Sequence, residues 1–441
     1  MRILIHGINF HPEAAGVGKY SGEMAHWLAA AGHEVRVVTA PPSFPQWRVT
    51  PGYRAWRYDW QPLPAQPKRL EVCRCPTWVP KNPKGIKRLL HLASFALSSL
   101  PVMLWQMRWQ PDLVLLVEPT FCCAPQALLT ARLSGAKAWL HIQDFEVDAA
   151  FELGDLTSSR GQVLARALER WLLRKFDRVS AISGQMVGRL ILKGVDQSRC
   201  VYFPNWVDTR TIYPFPNPSS LRRELGIADN VVVALYSGSM GKKQGLDLLV
   251  DTARQLLHRS DLRFVFCGDG SYRRVFVEKA RGLPNITILP FQPPERLNEL
   301  LNLADIHLLP QRAGAADLVM PSKLTGMLAS GRPVLATAMH GTELANAVQG
   351  RGIVVPPGDL DAFASALLEL AADSDLRLTL GQAARTYAVS HLNRDEILHR
   401  FERSMLSACD IPSPDAEPSA ALGSEFPVEK TATAAGNIGD D

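Results

Sequence analysis

Short apolar runs alternate with amphipathic stretches along most of this chain, and the alternation breaks once. Runs of the buried-strand type fall at 2–7, 35–39, 111–118, 138–142, 178–182 and 201–205, with helical patterns between most of them. Residues 208–220 are rich in proline, and the pattern then restarts at 231–236, 263–266, 286–289, 306–309, 333–336 and 353–355. Strands that alternate with helices imply parallel sheets covered on both faces. A chain of 441 residues is longer than one core usually supports. The expected architecture is therefore α/β with two doubly wound, Rossmann-like domains. They are a first domain over 1–207 and a second over 208–390, followed by a C-terminal helix over 391–409. Residues 410–441 are rich in Ala, Ser, Pro, Glu and Gly and are expected to be disordered.

In such folds a ligand sits at the carboxyl ends of the strands. The stretch 305–337 reads as strand, long loop, helix and strand. Ser322 stands where an N-cap belongs, and Leu324, Met327 and Leu328 share one helical face. A helix start beside the basic Lys323 is a candidate anion site, which places a nucleotide's phosphates at Ser322, Lys323 and Leu324. An ordinary βαβ unit with a solvated lysine would leave the same pattern. The turn 237–245, SGSMGKKQG, adds Lys242 and Lys243 between glycines and is the stronger phosphate signal. Gly268, Asp269 and Phe291 leave strands on the same edge. In the first half, Gly16 and Gly18 form a glycine turn that lets backbone approach a ligand; a lone GxG is weak evidence of a dinucleotide site. His141 and Asp144 lie at a strand exit, where polar groups commonly face a ligand.

Composition excludes little: 46% hydrophobic and 21% charged residues are ordinary for a globular chain, and a net charge of +5 tolerates an anionic ligand or lipid surface. The seven cysteines lack metal spacing, so reduced thiols are expected, with no metal or cofactor. Residues 41–83 interleave Phe44, Trp47, Tyr53, Trp56, Tyr58, Trp60 and Trp78 with Arg48, Arg54, Arg57, Lys68 and Arg69. Lys81, Lys84, Lys87 and Arg88 follow. The apolar stretch 89–109 comes next, interrupted by His91, Pro101, Gln106 and Arg108. That order favours a helix with one buried face lying on an anionic membrane, and not a spanning segment. No nucleic-acid module surrounds it. With no signal peptide at the start, the expectation is a cytoplasmic protein, peripheral on the inner face of the plasma membrane.

The glycine frames at 16–18, 238–245 and 268–270, together with the PSK-to-ASGRPV segment at 321–334, fall in the order of glycosyltransferase family 4, which this chain resembles. His141-Ile142-Gln143-Asp144, Phe203-Pro204-Asn205-Trp206 and Met320-Pro321-Ser322-Lys323 resemble the members that build colanic-acid-type exopolysaccharide. The resemblance extends to about residue 406. It implies the GT-B fold and a retaining transferase without metal. The donor would be a GDP- or UDP-linked sugar, with fucose from GDP-fucose as a candidate, and the acceptor a lipid-diphosphate-linked saccharide. It also implies that His141 contacts the donor sugar and Phe291 lies by the base; at the strand exit, Asp144 or Glu146 is the candidate to orient an acceptor. Two glutamates usual in that family's donor site are absent: Leu318 and Gly326 stand in their positions. Ser239 and Gln244 replace the usual Arg and Lys of the phosphate turn, leaving Lys242 and Lys243 to supply charge. A nucleotide-binding partner without transferase activity and a GT-B epimerase are the alternatives.

Overall fold

The computed structural model describes residues 1–13, 16–63, 70–81, 85–145, 159–241, 244–312 and 321–412. In the first half the strands are β1 (Arg2–His6), β2 (Glu34–Thr39), β3 (Asp59–Pro62), β4 (Leu70–Arg74), β5 (Leu113–Val117), β6 (Lys137–Ile142), β7 (Arg178–Ala181) and β8 (Cys200–Tyr202). They form one sheet in the order β3-β4-β2-β1-β5-β6-β7-β8, parallel except for β3. In the second half β9 (Val232–Ser237), β10 (Leu262–Cys267), β11 (Ile286–Leu289), β12 (Ile306–Leu309), β13 (Val334–Thr337) and β14 (Gly352–Val355) form an all-parallel sheet, β11-β10-β9-β12-β13-β14. Both orders reverse beside their first strand, at β1/β5 and at β9/β12. There the following loops diverge and leave a crevice.

The strand expectations hold to within a residue or two except at β8, which ends at Tyr202 and not at 205; β3 and β4 are additions. These two lie inside the aromatic, basic stretch, where prolines hid an alternation of buried Leu70 and Val72 around exposed Glu71. The stretch 360–391 forms two helices, Leu360–Ala372 and Ser374–His391. Asp373 breaks it: its extended backbone lets the carboxylate accept from Leu376 N. The apolar helix runs Ile86–Gln106 and is the crossover from β4 to β5. With its last turn, Ile86–Trp109, it is the one helix among the described residues long and apolar enough to cross a membrane. Its His91, Leu92, Phe95, Val102 and Met103 are buried.

The chain crosses between the halves twice, at 203–208 and 391–394. The crossings pair: Val207 N donates to Leu392 O (2.8 Å) and Arg394 N to Val207 O (3.0 Å). After the second crossing, helix Arg394–Ala408 returns to the first half. Ile397, Leu398, Phe401 and Met405 enter its core, with Trp139, Phe203 and Trp206. The rings of Phe401 and Phe203 stack at 3.7 Å, and Trp139 meets Phe401 edge-on at 5.1 Å. Removing a buried phenyl ring costs roughly 3–5 kcal/mol. Phe401→Ala is therefore expected to lower the unfolding free energy of the first half by that amount and its urea midpoint accordingly, followed through the emission of Trp139 and Trp206; an unchanged midpoint would show that this helix does not complete the core.

Candidate functional site

At the second switch point the turns after β9 and β10 meet backbone to backbone. Gly238 N donates to Cys267 O (2.9 Å), Met240 N to Asp269 O (2.8 Å) and Tyr272 N to Met240 O (2.9 Å). A Cβ at Gly268 would overlap the Gly238 carbonyl oxygen, and one at Gly270, where φ is +150°, would lie 2.5 Å from Met240 O. Only glycine permits this approach. Asp269 is exposed, and its carboxylate accepts from Gly270 N at 2.8 Å. Gly245, at φ +66°, starts helix Leu246–Gln255. Just inside it, Asp247 binds Lys279 (2.5 Å), Tyr272 (2.5 Å) and Arg312 (3.1 Å). Those contacts outweigh burial and hold its carboxyl below the usual range. Phe291 is 58% exposed beyond β11, its ring open to solvent.

Lys323 sits at the centre. Its side-chain nitrogen is half-buried and donates to Tyr236 Oη and Gln244 Oε1, both at 3.1 Å. It also lies over the Tyr236 ring, 4.2 Å from the centroid. Among the described residues no carboxylate pairs with it, and burial brings its pKa down to about 7. Sequence reasoning found Lys323 but missed both partners, which come from 79 and 87 positions away. Lys242 and Lys243 lie outside the described residues.

Two neighbours of Lys323 need correction. Ser322 occupies the N-cap place, but its backbone is already helical (φ −58°, ψ −24°) and its side chain makes no capping bond. Leu324 is wholly buried, and its amide donates to Pro321 O (3.0 Å), so neither its side chain nor its N–H is offered to a ligand. The apolar periodicity that marked the helix places Leu324 in the core.

On the first-half side the glycine turn has a different cause from the one expected. A Cβ at Gly18 would come within 2.5 Å of Glu13 Oε2, and one at Gly22 within 2.8 Å of His11 Cβ. Gly18 thus makes room for the chain's own carboxylate, and Gly16 supplies φ +62° at the helix start. Glu13 in turn accepts from Ser43 N (2.9 Å), Phe44 N (3.0 Å) and Asn9 Nδ2 (2.9 Å). Arg74, at the end of β4, donates to Ala40 O (3.1 Å) and His11 O (2.6 Å) and lies over the Tyr53 ring. Glu13 and Arg74 therefore bind together the loops that follow β1 and β2. Neither was singled out from sequence.

His141 also departs from its expected role of touching the donor sugar. It is 2% exposed, with Nδ1 bonded to Ser180 Oγ (3.0 Å), Nε2 bonded to Gln143 Nε2 (3.1 Å) and its ring against Phe203. Because Gln143 Nε2 is a donor, His141 Nε2 accepts and Nδ1 carries the proton. The imidazole thus supports the strand exit from beneath. Asp144 is half-buried beside it, and Glu146 lies outside the described residues.

The halves touch across the cleft. Tyr20, in helix Gly16–Ala30, donates from Oη to Ser322 O (3.4 Å). Glu343 accepts from Gly184 N (2.9 Å) and Gln185 N (3.4 Å) at the start of helix Gly184–Leu192, and Gln185 Nε2 donates to Gly341 O (2.6 Å). No group of three His, Cys, Asp or Glu that could hold a metal occurs among the described residues.

Two parallel α/β halves facing across a cleft, with glycine turns at both switch points, define the GT-B class of glycosyltransferase. The chain belongs to the glycosyl transferase 4-like family: residues 15–206 match the family described as "Glycosyl transferase 4-like domain", and 231–373 match "Glycosyl transferases group 1". It is 42% identical over 411 residues to the Escherichia coli (strain K12) protein WcaI, whose name assigns it to colanic acid biosynthesis as a glycosyl transferase. That similarity covers 91% of this chain and 98% of the relative. Among solved structures, the sucrose-phosphate synthase of Thermosynechococcus elongatus superposes with a TM-score of 0.70 at 18% identity, over 92% of this chain and all of the other. Anabaena HepE, solved with UDP and glucose, gives 0.65 at 15% identity, over 92% and 100%. The protein is thus a GT-B glycosyltransferase.

His6, His141 and His307 are fully buried, and burial brings each to a pKa of about 3. An unfolded histidine protonates near 6.5, so between about pH 6.5 and 3 the unfolded chain binds more protons than the folded one. Each site then removes up to roughly 1.4 kcal/mol of stability per pH unit as pH falls through that window. The urea midpoint is expected to drop steadily below about pH 6, and a flat profile from pH 7 to 4.5 would contradict the buried neutral assignment.

Proposed function

We propose that this protein is a retaining glycosyltransferase of exopolysaccharide assembly, of the colanic-acid type. It moves a sugar from a nucleotide-diphosphate donor to a lipid-diphosphate-linked saccharide. The observation that carries the donor assignment is Lys323: a lysine packed at the second switch point among only neutral partners bears its charge at low cost only when an anion joins it. The 42% identity to WcaI supports the exopolysaccharide context. GDP-fucose is the first donor to test, with UDP-sugars beside it. Lysines that balance the charge of the leaving diphosphate stabilise the transition state without a metal.

The deciding experiment incubates the protein with radiolabelled GDP-fucose or UDP-glucose and bacterial membranes, and follows label into the lipid-extractable fraction. Binding without product would favour a non-transferase nucleotide partner, and conversion of the sugar without acceptor an epimerase. Lys242 and Lys243 are assigned to the same diphosphate. Losing a charge-assisted contact there costs about 2–4 kcal/mol in the transition state. The double Ala variant is expected to fold but to lose at least about a hundredfold in turnover; near-normal turnover would remove both lysines from the site.

The acceptor's lipid would hold the enzyme at the inner face of the plasma membrane. One helical layer of the first half supports this reading. Trp56, Trp60, Ile86, Leu90, Leu97 and Trp105 are exposed on and around the helix Ile86–Gln106. The helix Ser159–Leu173 exposes Val163, Leu164, Leu168 and Trp171 beside Arg166, Arg170 and Arg174. Both helices bury their other faces in one core cluster, so both cover the same side of the sheet. Bases near an anionic leaflet contribute roughly 1 kcal/mol each, screened by salt. The protein is expected to sediment with anionic vesicles at low salt and to leave them at high salt. Changing Lys81, Lys84, Lys87 and Arg88 to Ser should release it without unfolding; equal binding by that variant, or no binding by the wild type, would refute the membrane surface.

A further inference from the structure

The hydrogen bonds around Lys323 are enough for an amine. A neutral lysine nitrogen has two N–H groups, and two acceptors meet it: Tyr236 Oη and Gln244 Oε1. Tyr236 sends its own proton to Ser239 O at 2.6 Å, which leaves its oxygen free to accept. An ammonium has a third N–H, and among the described residues that hydrogen finds no oxygen or nitrogen acceptor, only the face of the Tyr236 ring at 4.2 Å. The neighbouring charges are taken elsewhere. On the second-half side, Asp247 is held by Lys279, Tyr272 and Arg312. On the first-half helix Gly16–Ala30, Glu23 accepts from Trp206 Nε1 (2.7 Å) and pairs with Lys19 at 3.9 Å, while Tyr20 reaches Ser322 O. Gly238 contributes only backbone: a Cβ there would stand 3.2 Å from Lys323 Cδ.

We propose that donor binding carries one proton from solvent onto Lys323, so that the side chain is an amine in the empty cleft and an ammonium against the bound diphosphate. The step makes one N–H bond, from the amine's lone pair and a proton released by buffer, and breaks none in the donor. The third N–H then has its acceptor, a phosphate oxygen, and the buried charge has its counterion. Burial sets the empty-site pKa at about 7, and the anion raises it in the complex. Below about pH 7 this group leaves affinity unchanged. Between the empty and the bound pKa, affinity falls as pH rises, by up to ~tenfold per unit. The inference rests on the proposed donor site and adds its proton stoichiometry and its pH response.

The test is calorimetric titration of the full-length protein with GDP-fucose and with UDP-glucose at about pH 8, in buffers of different ionisation enthalpy. Neither probe's diphosphate titrates near neutrality, so the slope of observed heat against buffer enthalpy counts protons taken up by the protein. The expected slope for wild type is close to one. Lys323→Arg, charged in both states, is expected to bind with a slope near zero; Lys323→Gln, neutral in both, serves as the second variant and should also give zero. A zero slope in wild type, or an undiminished slope in either variant, overturns the proposal while leaving the donor site standing. Failure of both nucleotide-sugars to bind at any pH overturns the donor site and the proton inference with it.

Discussion

The cleft exists because two passages of chain lie side by side where the halves meet. Val207 and its neighbours Leu392 and Arg394 exchange backbone hydrogen bonds, and Arg394 adds an ion pair to Asp208 at 2.9 Å. Nearby, Arg385 gathers the carbonyls of Thr209, Ile212 and Ala329, tying the connecting segment to the helix that bears Lys323. The halves are therefore joined by a narrow, ordered band and not by a loose tether. Away from that band the described residues include polar contacts across the cleft, Tyr20 to Ser322, Glu343 to the helix at Gly184, and Gln185 to Gly341. Domain closure about a ligand turns on a few residues at such a junction.

The two sides of the cleft are built differently. The second half shapes its crevice with glycines, letting the turn after β9 press on the turn after β10 and leaving Lys323 among neutral partners within. The first half uses an inner acid and an inner base. Glu13 and Arg74 occupy the space beneath the loops and hold them by their backbone groups, so those loops keep their shape without regular structure of their own. Burial raises the Glu13 pKa against the pull of its hydrogen bonds. Supporting groups of this kind let exposed residues around them serve recognition without also bearing the fold.

Much of this architecture was legible because parallel strands buried on both faces leave continuous apolar runs, and such runs have no other ready explanation. The strand β4 escaped because it lies near the sheet's edge, alternates instead of running apolar, and sits among prolines. The site was less legible for a different reason. Spacing shows that Gly18 must be small but not whether it admits a ligand or Glu13. Periodicity places Leu324 on a helix but not on its inner face. A lysine's charge state depends on what surrounds it in space, and Tyr236 and Gln244 are remote from Lys323 along the chain. The partners of His141, Ser180 and Gln143, likewise turn a candidate contact residue into a support.

The return of helix Arg394–Ala408 to the first half bears on how the protein is made. A ribosome releases the strands of the first sheet early, but Phe203 and Trp206 then lack Phe401 until after the whole of the second sheet has emerged. The second half, whose residues are contiguous, can close as soon as it is out. The half synthesised first is thus completed last, and for most of translation its sheet carries an uncovered aromatic groove that only the chain's own late helix fills.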